Sequence, residues 1–171
     1  MIAHRGMSMV GGLLLVVSAG LLMAAPVAGA QEKEKLDLDK IPARVMDGLN
    51  ARFPKAEIQK WTREKEGEIV VYDIEFTEDK RKYEADIKED GAIHNWEKAI
   101  EEKELPAAVR KSAEKKYPGC TTKEIMAITT VGHDKEELEG YEIVLTTVDK
   151  KDIEITVAPD GKILEEPGSK K

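Results

Sequence analysis

Apolar residues recur at every fourth position in two short stretches of the chain. They are Ile41, Val45, Leu49 and Phe53 in the first stretch, and Leu105, Val109, Ala113 and Tyr117 in the second. This spacing places the apolar side chains of a stretch on one face of an α-helix, so it predicts two short amphipathic helices. A proline lies near the start of each stretch, where its missing N–H is not needed. Pro54 and Pro118 end the helices, because the residue before a proline is displaced from helical backbone angles.

After each predicted helix, apolar and polar residues alternate, as is typical of half-buried strands. In the first half the apolar positions are Val70, Tyr72, Ile74 and Phe76, followed by Tyr83, Ala85 and Ile87. Asp90-Gly91 and Asp160-Gly161 favour tight hairpin turns, because glycine readily adopts a positive φ. A last short strand is predicted after each turn, at Ile93 to Trp96 and at Ile163 to Glu165. The same order of features occurs twice along the chain. It predicts an α+β fold of two tandem repeats, each one helix followed by a four-stranded antiparallel sheet.

The predicted domain organisation follows from these repeats. Residues 41–102 form repeat 1 and residues 103–166 form repeat 2, with a charged lead-in at 31–40 and a short tail at 167–171. Repeat 2 is longer between Pro118 and Tyr141 than repeat 1 is between Pro54 and Tyr72. Since a domain of about 60 residues is only marginally stable alone, we expect the two repeats to pack together.

Residues 1–30 have the features of a signal peptide. His4 and Arg5 precede an uncharged apolar run from Val10 to Ala25, and Ala28-Gly29-Ala30 matches the small-residue pattern of a cleavage site. The run is shorter than the roughly 20 residues that span a membrane, so we expect cleavage after Ala30, with an uncleaved anchor as the alternative. The mature protein is then periplasmic or secreted and has no membrane segment.

The chain is acidic. It has 171 residues, of which 36% are charged, and its net charge is −7; loss of Arg5 with the signal segment changes −7 to −8. Nucleic-acid binding requires clustered Lys and Arg to neutralise phosphates, so a nucleic-acid partner is not expected. The single cysteine, Cys120, is expected to be buried or to pair with another chain.

Few residues of the predicted mature chain could carry catalysis. Its serines are Ser112, inside a predicted helix, and Ser169, in the tail, and no Gly-x-Ser-x-Gly motif is present. His133 is close to several acidic residues but lacks the spacing of a zinc or calcium site. The sequence therefore predicts no enzyme activity, no cofactor and no metal site.

The polar faces of the predicted strands provide a candidate binding surface. Asp73 and Glu75 lie on such a face in repeat 1, and Glu142 and Glu154 lie on the equivalent face in repeat 2. Trp61 lies an even number of residues after Glu57 and Gln59, so strand alternation predicts it on the same polar face. There an exposed aromatic ring could anchor a partner. The alternative is a ring packed at the sheet edge or between the repeats.

The longer connection of repeat 2 is the other candidate contact. Gly132 and Gly140 bracket the polar stretch 133–139, which predicts a loop. Binding residues often lie on such loops, so His133 joins the predicted site, although a slack hairpin without function is the alternative. The predicted binding residues are Trp61, Asp73, Glu75, His133, Glu142 and Glu154.

The order of these features resembles the PepSY-like domain family, whose tandem helix-plus-sheet repeat is similar to the beta-lactamase inhibitor protein fold. The residues that carry the resemblance are Ile41-Pro42, Leu105-Pro106, Phe53-Pro54, Tyr117-Pro118, Trp61, Tyr72, Tyr141 and the two Asp-Gly turns. The resemblance implies an exported, non-catalytic binding protein, with inhibition of an extracytoplasmic enzyme as one such role. It carries over no individual contact residue.

Two functions from different classes are consistent with the sequence. One is a binding module that recognises an extracytoplasmic protein or peptide. The other is an acidic extracytoplasmic sensor or carrier for cations, either metal ions or cationic peptides, which would use the net negative charge of the chain.

Overall fold

The computed structural model of the protein describes residues 37–66, 68–132 and 135–168. The predicted signal segment, most of the charged lead-in, His133 and the end of the tail lie outside the described residues. In chain order the helices and strands are α1 (Ala43–Arg52), β1 (Glu57–Glu66), β2 (Ile69–Glu78), β3 (Arg81–Lys88), β4 (Ile93–Ala99), α2 (Ala107–Lys116), β5 (Thr121–Val131), β6 (Glu136–Thr146), β7 (Asp152–Val157) and β8 (Ile163–Glu165). Within the described ranges, the helices are too short or too polar to cross a membrane.

Both predicted helices are confirmed. Pro42 and Pro106 occupy the N-cap positions, just before the first helical residue. Each helix ends at the aromatic residue before its second proline, where the N–H of Phe53 bonds to the carbonyl of Leu49 and that of Tyr117 to the carbonyl of Ala113. The apolar stripe and the two prolines therefore define where each helix lies.

The strands form one eight-stranded antiparallel sheet in sequential order, β1 to β8. The prediction of a separate four-stranded sheet in each repeat is not confirmed, because β4 hydrogen-bonds to β5 and joins the repeats. In this pairing Trp96 lies opposite Thr129, and Ala99 opposite Met126. Left apart, β4 and β5 would each present a row of unpaired backbone groups, and pairing them removes both edges.

Both helices pack on the same side of the sheet, over two buried apolar clusters. The first core contains Ile41, Val45, Leu49, Phe53, Tyr72, Ile74, Phe76, Ala85 and Ile87. The second core contains Leu105, Val109, Ala113, Ile125, Tyr141, Ile143, Leu145, Ile155 and Val157. Most of the predicted core positions are confirmed, since each apolar helix stripe covers the apolar face of the strands that follow it. Val70, Tyr83 and Tyr117 are only partly buried against these cores.

The predicted loop at 133–139 is wrong for most of its length. Strand β6 begins at Glu136, and Glu136, Glu137 and Leu138 pair with Val131, Thr130 and Thr129 of β5. The extra residues of repeat 2 lengthen a hairpin instead of forming a loop. The physical reason is that Thr129, Thr130 and Val131 are β-branched and favour extended backbone, which outweighs the polar character of the opposing stretch.

Candidate functional site

We call the side of the sheet that faces away from α1 and α2 the open face. Strand alternation directs every second side chain to it, so the residues between the core positions meet there. The open face includes Lys60, Asp73, Glu75, Lys82, Glu84, Asp86, Asn95, Glu97, Glu124, Met126, Glu142, Glu154 and Thr156. Carboxyl groups dominate this surface, in contrast to the apolar face beneath the helices.

The strand register places several of these carboxyl groups directly opposite one another. Asp73 of β2 pairs with Asp86 of β3. Glu84 of β3 lies between Glu75 of β2 and Glu97 of β4, so three carboxyl groups form one row across adjacent strands. Like charges in directly opposed positions destabilise a sheet unless another group compensates them.

Two lysines compensate part of the row. The ammonium of Lys60 lies 2.6 Å from Oε1 of Glu75. The ammonium of Lys82 lies 2.8 Å from Oε1 of Glu84 and 2.9 Å from Oε1 of Glu124, so a single cation bridges β3 and β5. These contacts leave the carboxyl group at the end of the row, Glu97, without a basic partner among the described ion pairs.

Glu97 lies in the interior of the open face. Its Oε2 atom is buried and has no hydrogen-bond partner. Burial, followed by repulsion from Glu142 and Glu84, raises the pKa of Glu97 to about 9. The carboxyl group is therefore poorly solvated and surrounded by groups of its own charge.

The pKa values of two further carboxyl groups on the open face are also raised. Burial, followed by repulsion from Glu154, raises the pKa of Glu142 to about 8, and the side chains of Glu142 and Glu154 share a hydrogen bond. Burial, followed by repulsion from Asp86, raises the pKa of Asp73 to about 7. Met126, which lies opposite Glu142 and is only 2% exposed, adds apolar surroundings. Desolvation is the largest cause at each of the three carboxyl groups.

The structure brings four of the six predicted binding residues to the open face: Asp73, Glu75, Glu142 and Glu154. Sequence reasoning missed Glu97, because the last strand of repeat 1 was expected to end at Trp96. Strand β4 continues to Ala99, and the alternation of Asn95, Trp96 and Glu97 is the signal that could have extended it. Its neighbour Trp96 packs against the first core on the opposite side of the sheet.

Trp61 lies on the helix-facing side, so its predicted position on the open face is wrong. A β-bulge between Ile58 and Lys60 adds one residue to β1. The side chains after the bulge therefore lie on the opposite face from the one that simple alternation predicts. The indole ring packs against the first core and stacks on Tyr72 with ring centroids 6.2 Å apart. This position matches the alternative prediction, a ring packed at the sheet edge, because β1 is an edge strand.

The lengthened hairpin of repeat 2 contacts the first helix. The guanidinium of Arg52, at the end of α1, donates hydrogen bonds of 3.2 Å to both carboxylate oxygens of Glu136. The same guanidinium lies 5.1 Å from the ring centroids of Phe53 and Trp96. This hairpin therefore helps to hold α1 of repeat 1 against the strands of repeat 2.

The described residues offer little for metal or thiol chemistry. No group of three acidic, histidine or cysteine side chains within the described ranges has an arrangement suited to a metal ion. Cys120 is half-buried against the second core, and its thiol is free of intrachain disulfides.

Comparison with known proteins identifies the same architecture. A family model described as PepSY-like, for proteins proposed to be beta-lactamase-inhibitor-like, matches residues 30–92 and 70–165. No curated protein matches the chain.

Several solved structures share the fold at low sequence identity. A DUF2874 family protein from Bacteroides uniformis is 14% identical, with 72% of this chain and 86% of that chain covered and a TM-score of 0.56. A BLIP-like protein from Bacteroides fragilis is 17% identical, with 73% and 84% covered and a TM-score of 0.50. A proposed periplasmic protein from Bacteroides eggerthii is 14% identical, with 73% and 86% covered and a TM-score of 0.58. At these identities the likeness concerns the fold alone.

Proposed function

The chain belongs to the PepSY-like, beta-lactamase-inhibitor-like family, and we propose that it is an exported, non-catalytic binding module that recognises a protein or peptide through its open face. The observation that carries this proposal is that, among the described residues, helices cover only one side of the continuous sheet. Both helices pack on that side, so the strands present one broad, rigid surface on the other. Inhibition of an enzyme outside the cytoplasm is one form that this binding could take.

The carboxyl rows support a binding role for this face. Glu84 lies directly between Glu75 and Glu97, and Asp73 lies opposite Asp86. Where no lysine compensates them, such pairs destabilise the free protein relative to neutral side chains, and a face needed only for solubility could carry its charges in alternating sign. A surface that retains unfavourable charge pairs is a candidate for recognition.

An extracytoplasmic location is part of the same proposal. It is supported by the signal-like pattern of residues 1–30 and by the likeness to a proposed periplasmic protein from Bacteroides eggerthii. The mass of the exported protein tests it. A mature N-terminus between Gln31 and Glu34 is expected, and an exported chain that retains residues 1–30 would contradict cleavage.

The binding face can be tested by capturing partners from the envelope fraction of the exporting cell with the exported protein as bait. Thr156→Tyr adds a bulky ring on the open face, where Thr156 lies opposite Glu142. Thr122→Tyr is the matched control, because Thr122 is exposed and lies opposite the core residue Leu145. We expect Thr156→Tyr to abolish capture of a specific partner and Thr122→Tyr to retain it. The opposite result would place the site on the helix side.

The second candidate function is a sensor or carrier for cations. The observation that favours it is that Glu97 and Glu142 have no basic partner among the described ion pairs. Calorimetric titration with calcium, zinc and polylysine distinguishes the two functions. Tight stoichiometric binding of a metal ion, with no captured protein partner, would support the carrier and contradict the binding module.

A further inference from the structure

The protein itself shows how the open face accommodates a lysine. The ammonium of Lys82 lies within 3 Å of carboxylate oxygens of both Glu84 and Glu124, which belong to strands β3 and β5. Lys60 pairs with Glu75 in the same way nearer the sheet edge. A primary ammonium therefore fits between carboxyl groups of two different strands on this surface, here β3 and β5.

At the centre of the face, the described residues supply carboxyl groups for a further contact of this kind, but none of their ion pairs brings a cation to Glu97 or Glu142. Oε2 of Glu97 is buried without a hydrogen-bond partner. The charged groups that repel Glu97 are Glu142 from β6, Glu84 and Asp86 from β3 and Glu154 from β7. Lys82 from β3 and Glu124 from β5 form an ion pair on the same face. Lys82 is already shared between Glu84 and Glu124, so it is not a partner for Oε2 of Glu97.

We propose that the partner of the open face inserts a lysine or arginine side chain at its centre, over Glu97 and Glu142. This inference rests on the proposed function and specifies the chemistry of the partner: a protein or peptide segment rich in basic residues. The argument is charge complementarity, because a buried polar atom without a partner is unfavourable until another group satisfies it. A flexible organic cation suits the face better than a metal ion, since the described carboxyl groups do not gather into a coordination sphere.

Proton release provides a signature of this contact. The raised pKa values of Glu97 and Glu142 keep both groups largely protonated at neutral pH in the free protein. A cation above them favours their ionised forms, so binding expels protons. The affinity for a basic segment should therefore rise with pH between about 6 and 9.

The test is calorimetric titration of the exported protein with a synthetic peptide of alternating lysine and glycine, and with its glutamine-for-lysine analogue. The double variant Glu97→Gln/Glu142→Gln removes the proposed contacts while keeping side-chain size. The control Glu102→Gln/Glu114→Gln removes the same formal charge from exposed positions just before and within α2. Repeating each titration in buffers of different ionisation enthalpy measures the protons released.

We expect the lysine peptide to bind and the glutamine peptide not to bind. The open-face variant should lose about tenfold or more in affinity, while the control stays within about twofold. The dependence of the observed enthalpy on the buffer should disappear in the open-face variant alone. Equal losses in both variants would indicate general attraction to an acidic chain and overturn the inference. Displacement of the peptide by calcium chloride at equimolar concentration would also overturn it in favour of a metal ion.

The inference and the proposed function can fail separately. If Thr156→Tyr abolishes capture of a partner but Glu97→Gln/Glu142→Gln does not, the open face binds and the basic contact is wrong. If neither change affects capture, both fail.

Discussion

Burial and like charge act in the same direction on Asp73, Glu97 and Glu142. Both favour the neutral carboxyl group, so the folded protein binds protons that the unfolded chain has released. The free energy of unfolding therefore decreases as pH rises from the ordinary carboxyl pKa near 4 through the raised values. Once ionised, these three carboxyl groups destabilise the folded protein, whereas carboxyl groups on an ordinary solvated surface do not.

The Glu97→Gln variant tests this reasoning. Removing the charge should stabilise the protein by roughly 1 to 3 kcal/mol at pH 9 and have little effect at pH 5, where the carboxyl group is already neutral. Thermal unfolding of both proteins across this range measures the difference. Glu114→Gln, at an exposed position of α2, is the control and should change the free energy of unfolding by less than about 0.5 kcal/mol. A Glu97→Gln effect that is the same at both pH values would show that Glu97 is not perturbed.

The Leu49→Ala variant tests the core assignment at the same scale. Leu49 is 0% exposed and belongs to the first core, so the substitution should reduce the free energy of unfolding by roughly 2 to 5 kcal/mol. Leu138, which is 46% exposed, provides the matched control Leu138→Ala, with an expected change below about 0.5 kcal/mol. Similar losses in urea denaturation would contradict the helix-face assignment.

Each helix meets an Asp-Gly turn of its own repeat at close range. A Cβ atom on Gly48 would lie 2.1 Å from the carbonyl oxygen of Gly91, and Gly91 itself has φ of 91°. In repeat 2 the contact differs, since the hydroxyl of Ser112 donates to the carbonyl of Gly161. These contacts help to fix the position of each helix over the sheet.

We predict that Gly48→Ala destabilises the protein, although alanine favours helix by about 1 kcal/mol over glycine. The clash with the backbone of Gly91 should outweigh that preference and lower the free energy of unfolding by roughly 1 to 3 kcal/mol. Asn50→Ala, at an exposed position of the same helix, is the control and should be neutral or slightly stabilising. A stabilised Gly48→Ala protein would mean that the helix does not approach the turn this closely.

For the whole molecule, the pairing of β4 with β5 is the decisive feature. It converts two repeats into one sheet, and the contact of Arg52 with Glu136 adds a second connection between them. Backbone hydrogen bonds across the junction couple the two cores. The molecule should therefore unfold as one cooperative unit, which gives the open face its rigidity across eight strands.

Tryptophan fluorescence can test this coupling, because both tryptophans, Trp61 and Trp96, pack against the first core. Val109→Ala removes methyl groups from the second core and should destabilise it by about 2 kcal/mol. If the repeats unfold together, the denaturation midpoint reported by fluorescence shifts as far as the midpoint reported by circular dichroism. Val148→Ala, at an 81% exposed position, should shift neither. A fluorescence midpoint unaffected by Val109→Ala would show that the repeats unfold independently.

The sequence by itself determined the helices, the core positions and the polar character of one sheet face. These depend on local spacing: every fourth residue for α1 and α2, and every second residue for strands such as β2. Asp73, Glu75, Glu142 and Glu154 reached the open face for that reason. Periodicity is a short-range property, so it can be read without knowing which segments pair.

Only the tertiary structure decided the side on which Trp61 lies, the burial of Glu97 and the joining of the two sheets. The bulge beside Lys60 and the length of β4 are set by hydrogen bonding to neighbouring strands, which residues of the strand itself do not reveal. The perturbation of Glu97 depends on charges from strands that lie far apart in the sequence. Strand register and the electrostatic environment of a side chain depend on which segments pair with each other. The pattern of residues within one segment does not contain that information.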